Sequence, residues 1–104
     1  MTDKVLQYQV GQVTDENTLS HAVEATAYTF TLAANALYRV VSTTACHIRQ
    51  AHAATDHAAT VAASALLPAN TVLYLSTDAT NKYLSVIRNA ADGTITVTKM
   101  RPGW

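Results

Sequence analysis

The sequence predicts an all-β domain, a single small β-sandwich, jelly-roll-like, of about eight short antiparallel strands. Three observations carry this expectation. The last third holds three strand-like runs, Asn70 to Thr77 (N-T-V-L-Y-L-S-T), Asn81 to Asn89 (N-K-Y-L-S-V-I-R-N) and Gly93 to Met100 (G-T-I-T-V-T-K-M). Each is rich in β-branched and aromatic residues and bounded by Asp, Asn, Gly or Pro. Alternation of period two, the pattern of a half-buried strand, recurs through the rest of the chain. Turn signals return about every 8 to 12 residues, the spacing of a sandwich or barrel.

The first run is Val5 to Val13, with Leu6, Tyr8 and Val10 opposite Gln7 and Gln9, and Thr14-Asp15-Glu16-Asn17 reads as a polar turn after it. Ala22 to Leu32 follows, with Tyr28, Phe30 and Leu32 on one side and Thr29 and Thr31 on the other. Ala33-Ala34-Asn35 breaks that run. Ala36 to Thr43 resumes, and Cys46 to Gln50 alternates Cys46 and Ile48 with His47 and Arg49.

Residues 50–67 are Ala-rich and leave two readings. A helix from about His57 to Leu66 is favoured by alanine and by a cap at Asp56. Thr55, Thr60 and Ser64 interrupt its apolar face and Pro68 closes it, so the segment is read as an extended loop leading into a strand. Pro68-Ala69-Asn70 and Asp78-Ala79-Thr80-Asn81 are turns. Asp92-Gly93, a strong hairpin signal, leads into the last strand. Pro102 lacks a ladder donor and should stop that strand soon after Met100.

With 104 residues, the chain has room for one domain. It is expected to span 1–104, with short reaching termini at 1–4 and 101–104. Charged residues make up 13%, about half the usual ~25%, and Ala and Thr take up the difference. Seven Lys and Arg balance seven Asp and Glu, so there is no electrostatic footprint for nucleic acid. Low charge density favours self-association. The N-terminal M-T-D-K-V-L-Q-Y has neither the basic region nor the apolar run of a secretory signal. No segment reaches the ~18 apolar residues of a membrane helix. The expectation is synthesis in a cytoplasm, without a cleaved signal and without a membrane partner.

Candidate chemistry is sparse. Cys46 is the single cysteine, so no intramolecular disulfide can form. His47, His52 and His57 are spaced by five, which matches neither one face of a helix nor one face of a strand. Cys46 and His47, as strand neighbours, should point to opposite faces. Ser20-His21 and Cys46-His47 lack the context of a nucleophilic site such as G-x-S-x-G. Glu16 and Glu24 could pair with Asp15 for acid–base work, against which Asp15 and Glu16 read as turn-forming, solvated carboxylates. Gly11, Gly93 and Gly103 are too scattered for a phosphate loop. The expectation is no enzymatic activity, no cofactor and no metal.

Tyr8, Tyr28, Phe30, Tyr38, Tyr74 and Tyr83 lie on expected strands, where core packing with the phenol at the rim accounts for them. Trp104 follows Arg-Pro-Gly, so no strand holds it. Trp and Arg are enriched at interface hot spots, and docking onto a partner is weighed here against folding back on the domain.

A-L-Y-R-V-V at Ala36 to Val41, A-C-H-I-R-Q from Ala45, a variable Ala/Thr loop and L-L-P-A-N-T at Leu66 to Thr71 form a recurring order. With Tyr74, Leu84-Ser85-Val86-Ile87 and G-T-I-T-V-T-K-M, it resembles small virion proteins of tailed bacteriophages, the capsid decoration (cement) type. The resemblance covers Ala36 to Met100, about 60% of the chain. It implies a small jelly-roll-like domain in many copies on the outer capsid surface, made in the host bacterial cytoplasm. Its partners would be the major capsid protein and its own copies, as a dimer or trimer. The loop from Ala51 to Ala63 departs from the pattern, and no role is carried over there.

The function expected is therefore non-enzymatic capsid decoration that binds the shell and bridges capsomers. The residues expected to reach the shell are Met1, Thr2, Asp3, Lys4, Arg101, Pro102 and Trp104. The alternative is a tail- or fibre-associated module that binds a receptor or carbohydrate through exposed Tyr and Trp. A third reading is a small enzyme or metalloprotein built on Cys46, His47, His52 and His57.

Overall fold

The computed structural model describes residues 11–102, and the side chains of residues 18–100. Eight strands occupy this span: β1 (Gly11–Val23), β2 (Tyr28–Thr31), β3 (Leu37–Ser42), β4 (Cys46–Ala51), β5 (Ala65–Leu67), β6 (Leu73–Ser76), β7 (Tyr83–Arg88) and β8 (Gly93–Pro102). No helix occurs among the described residues.

Alternation in the sequence decides which way each side chain points. Along β3, Tyr38, Val40 and Ser42 are buried while Leu37, Arg39 and Val41 are half-buried on the opposite face. The strands form two four-stranded antiparallel sheets, ordered β1-β8-β3-β6 and β2-β7-β4-β5. That order is the jelly roll, two sheets built by Greek-key connections. Val23, Val40, Ile95 and Val97 from the first sheet meet Phe30, Cys46, Leu84 and Val86 from the second in one core. Each large aliphatic side chain fully buried there contributes about 1.5–3 kcal/mol.

Several expectations need correction. Thr14–Asn17 does not reverse the chain. Val13 pairs with Met100 and Thr18 with Thr98, so these four residues bulge opposite Lys99 within one long strand. The partner strand runs on past the bulge, and so the ladder resumes on its far side. Ala22–Leu32 is not one strand: β1 ends at Val23, and the chain crosses to the second sheet before Tyr28. The strand expected over Asn70–Thr77 is confined to Leu73–Ser76. Asp92-Gly93 is not a hairpin turn, because β7 and β8 belong to different sheets. Gly93 is needed there for another reason. A Cβ on it would lie 2.7 Å from Thr43 Oγ1 and 2.8 Å from Thr44 Cγ2.

Between β4 and β5 the chain loops, and the helix considered over 57–66 is reduced to a single turn. Ser64 N donates to Thr60 O at 3.0 Å. Thr60 N donates to Ser64 Oγ and Ala63 N to Thr60 Oγ1, so hydroxyls take the donors that would have extended a helix. The turns expected around Asn35 and Asn70 are present, and both residues adopt left-handed backbone, with φ of 53° and 57°. Asn tolerates that region better than branched residues do.

The connection from β2 to β3 is tied from two sides. Tyr38 OH accepts from Ala33 N at 2.8 Å. Buried Thr77 donates its hydroxyl to Ala33 O at 2.6 Å and accepts from Ala36 N at 3.0 Å.

Candidate functional site

The outward face of the first sheet is built by cross-strand register. Thr18, Thr98, Arg39 and Tyr74 lie in one row across all four strands, with Ser20, Thr96 and Val41 in the next. Thr18 Oγ1 and Thr98 Oγ1 are 3.0 Å apart, and Thr96 Oγ1 donates to Val41 O at 3.4 Å. The alternation T-I-T-V-T at 94–98 produces this: Ile95 and Val97 enter the core, which turns Thr94, Thr96 and Thr98 outward. The result is a hydroxyl-bearing face whose two rows carry one charge, that of Arg39. Tyr74 is 45% exposed at its edge.

At the side of the sandwich where β1 and β2 face each other, His21 stacks on Tyr28. The ring centroids are 3.5 Å apart and the planes are 9° from parallel. Phe30 meets Tyr28 edge-on at 4.9 Å, closing the core behind the pair. His21 and Tyr28 occupy core-facing positions at sheet edges, which leaves the outer rim of Tyr28 in solvent.

The outward face of the second sheet is covered by the 52–64 connection, which lies over it as a strap. Ala59 N donates to the buried Ser85 Oγ at 2.8 Å. His47, also turned outward and buried, donates Nδ1–H to Ser64 O at 2.9 Å, and its Nε2 lies 3.0 Å from Asn89 Oδ1. The Ser64 carbonyl, and then Asn89, hold the His47 imidazolium and raise its pKa above the ordinary histidine value. His52 and His57 pack edge to face on the strap, centroids 4.4 Å apart.

The structure separates most of the residues weighed together in the sequence. Cys46 is buried in the core, and His47 points to the other face of the same strand. Burial pushes the Cys46 thiol up, and a hydrogen bond with Ser42 offsets part of that. A buried, protonated thiol is a packing group rather than a nucleophile. His52 and His57 do converge, against the expectation from their spacing, with Asp56 in a left-handed conformation (φ 63°) between them. Among the described residues no group of three His, Cys, Asp or Glu side chains is placed to hold a metal ion.

Of the expected shell-contact residues, Met1, Thr2, Asp3, Lys4 and Trp104 lie outside the described residues. The backbones of Arg101 and Pro102 are not part of a reaching tail. They are the last residues of β8, opposite Gln12 and Gly11. β8 runs two residues past Met100, to Pro102, the last described residue. The sequence reading missed Ser85, which anchors the strap, Asn89, which holds His47, and the His21–Tyr28 stack. Ser85 carried a signal: a small polar residue inside the apolar run Leu84-Ser85-Val86-Ile87.

Comparison with models of protein families, with curated proteins and with solved structures finds no match to this chain.

Proposed function

We propose that this protein is a non-enzymatic capsid decoration protein of a tailed phage, binding the outside of the major capsid shell and bridging capsomers. The observation that carries the reading is the outward face of the first sheet, with its rows of Thr18–Thr98–Arg39–Tyr74 and Ser20–Thr96–Val41. Such a face can lie against another protein surface without desolvating many charges. The order of motifs over residues 36–100, read as resembling that of small phage virion proteins, points the same way.

Cement function requires a rigid scaffold and several weak contacts. Engagement of many sites on a symmetric shell multiplies their effect without any new contact. The edge strands β1, β2, β5 and β6 favour a closed homo-oligomer, dimer or trimer, in which they are covered. Met1 to Lys4 and Gly103 to Trp104 are the segments proposed to reach the shell, with Arg101 and Pro102 contacting it from the end of β8. Removing Met1–Lys4 and Gly103–Trp104 together, while sparing the β8 ladder, should weaken particle binding. Unchanged binding would remove the termini from the assignment.

The role itself is tested by copy number on purified virions, measured by quantitative mass spectrometry against the major capsid protein. Hundreds of copies support decoration, and absence from the particle ends the virion reading. A dozen or fewer copies favour the second reading, a tail- or fibre-associated carbohydrate-binding module. The exposed rims of Tyr28 and Tyr74 favour that reading, and it predicts saturable glycan binding lost on their replacement by Ala.

A further inference from the structure

His52 and His57 are the two histidines that the fold brings together, and the strap geometry prepares one of them as a ligand. His57 Nδ1 lies 2.7 Å from Thr55 O. A carbonyl oxygen can only accept, so Nδ1 carries the proton and the neutral ring keeps its lone pair on Nε2. Metal-binding histidines are commonly fixed in this way, by donating the non-ligating N–H to a backbone carbonyl. The His52 ring lies against it across the left-handed turn at Asp56, at a centroid distance of 4.4 Å and an interplanar angle of 69°. Neither ring is spent on the core: His52 is exposed and His57 half-buried. His47 is different, since both of its ring nitrogens already face protein oxygens.

We propose that His52 and His57 form a two-imidazole surface site for a borderline divalent transition-metal ion, of which Zn2+ and Cu2+ are the type. Imidazole nitrogen suits these ions, whereas Ca2+ and Mg2+ require oxygen ligands. Binding brings both Nε2 atoms to about 2.0–2.1 Å from a shared ion, and rotation of the exposed His52 side chain supplies the adjustment. With no third protein ligand among the described residues, water completes the coordination. The ion is therefore held far more weakly than in a four-ligand structural centre. It joins the two ends of the turn at residues 52–57 and stiffens the strap above the second sheet. The site does not depend on the capsid reading.

The test is a calorimetric titration of the full chain with ZnCl2, with CaCl2 and MgCl2 as controls. The expected result is saturable binding of one Zn2+ per chain, at least ten-fold weaker in both His52→Ala and His57→Ala, with no heat from Ca2+ or Mg2+. A second measurement needs no variant. Substoichiometric Cu2+ should broaden the NMR resonances of residues 52–57 before those of His21 or His47. Absence of saturable Zn2+ binding overturns the proposal, as does full affinity in both single variants or broadening centred on another histidine.

Discussion

His47 Nε2 and Asn89 Oδ1 lie 3.0 Å apart, joining the start of β4 to the residue that follows β7. With the Asn89 oxygen toward the ring and the Ser64 carbonyl on the other nitrogen, these partners favour the protonated ring, in which both nitrogens donate. Turning the Asn89 amide over would let its NH2 donate to a neutral ring instead. The folded pKa is raised above the ordinary value of about 6.5. The stabilisation is therefore fully present below that value and lost as pH rises through the folded one. Melting temperature measured from pH 5.5 to 8.5 should fall across this window in the wild type. It should fall less in Asn89→Leu, and equal slopes would show that Asn89 does not hold the charged ring. Asp78 acts in a separate window. Its carboxylate accepts from Asn81 N, Asn81 Nδ2 and Thr80 N, which lowers its pKa, so its contribution is lost only as pH falls through that lowered value.

Thr77→Val replaces a buried hydroxyl with a methyl of the same shape. Ala33 O loses its 2.6 Å donor and Ala36 N its acceptor at 3.0 Å. A buried group left unsatisfied costs about 1–3 kcal/mol, and the exposed position of Ala33 lets water take up part of the cost at its carbonyl. Denaturant unfolding should show a loss in that range, with the slope m unchanged. Thr77→Ser keeps the hydroxyl and should lose less.

Gly93→Ala should destabilise although the backbone φ at Gly93 is not positive. The added methyl meets the Thr43 and Thr44 side chains well inside normal contact, and overpacking of this kind costs about 1–3 kcal/mol. Adding Thr44→Ala to Gly93→Ala should restore part of the loss, which a double-mutant cycle would measure.

Asn70→Val places a β-branched residue at φ 57°, where the Cβ clash costs about 1–2 kcal/mol. Asn70→Gly should be close to neutral. The two variants compared by thermal unfolding separate backbone strain from side-chain loss, and equal destabilisation would contradict the conformational argument.

The strands that were legible in the sequence are those whose alternation is unbroken. Leu37–Ser42, Cys46–Ala51 and Tyr83–Arg88 sit within a residue or two of where their apolar positions put them. Alternation says which side chains share a face. It says nothing about which sheet a strand joins, and so the Asp-Gly signal before β8 was read as a hairpin. Six of the seven connections cross between sheets, leaving β4–β5 as the one consecutive pair that is hydrogen-bonded. The bulge at Thr14–Asn17 was hidden for a similar reason. Four polar residues reverse a chain in isolation, but here both flanking segments find the same partner strand. The strap escaped because its contacts are tertiary: His47 on the strand before it holds Ser64, and Ser85 on β7 holds Ala59.

The pairing of β1 with β8 also sets a clock on the protein's birth. Leu19 cannot meet Val97, nor His21 meet Ile95, until nearly eighty further residues have been synthesised. At about 5–20 residues per second that interval is roughly 4–16 s. Throughout it β1 lacks β8, the one strand it pairs with among the described residues. The first sheet cannot form strand by strand as the chain emerges. β3 and β6 can pair earlier, but β1 must wait for β8, and in a nascent chain arrested before Gly93 the β1 segment should remain protease-sensitive.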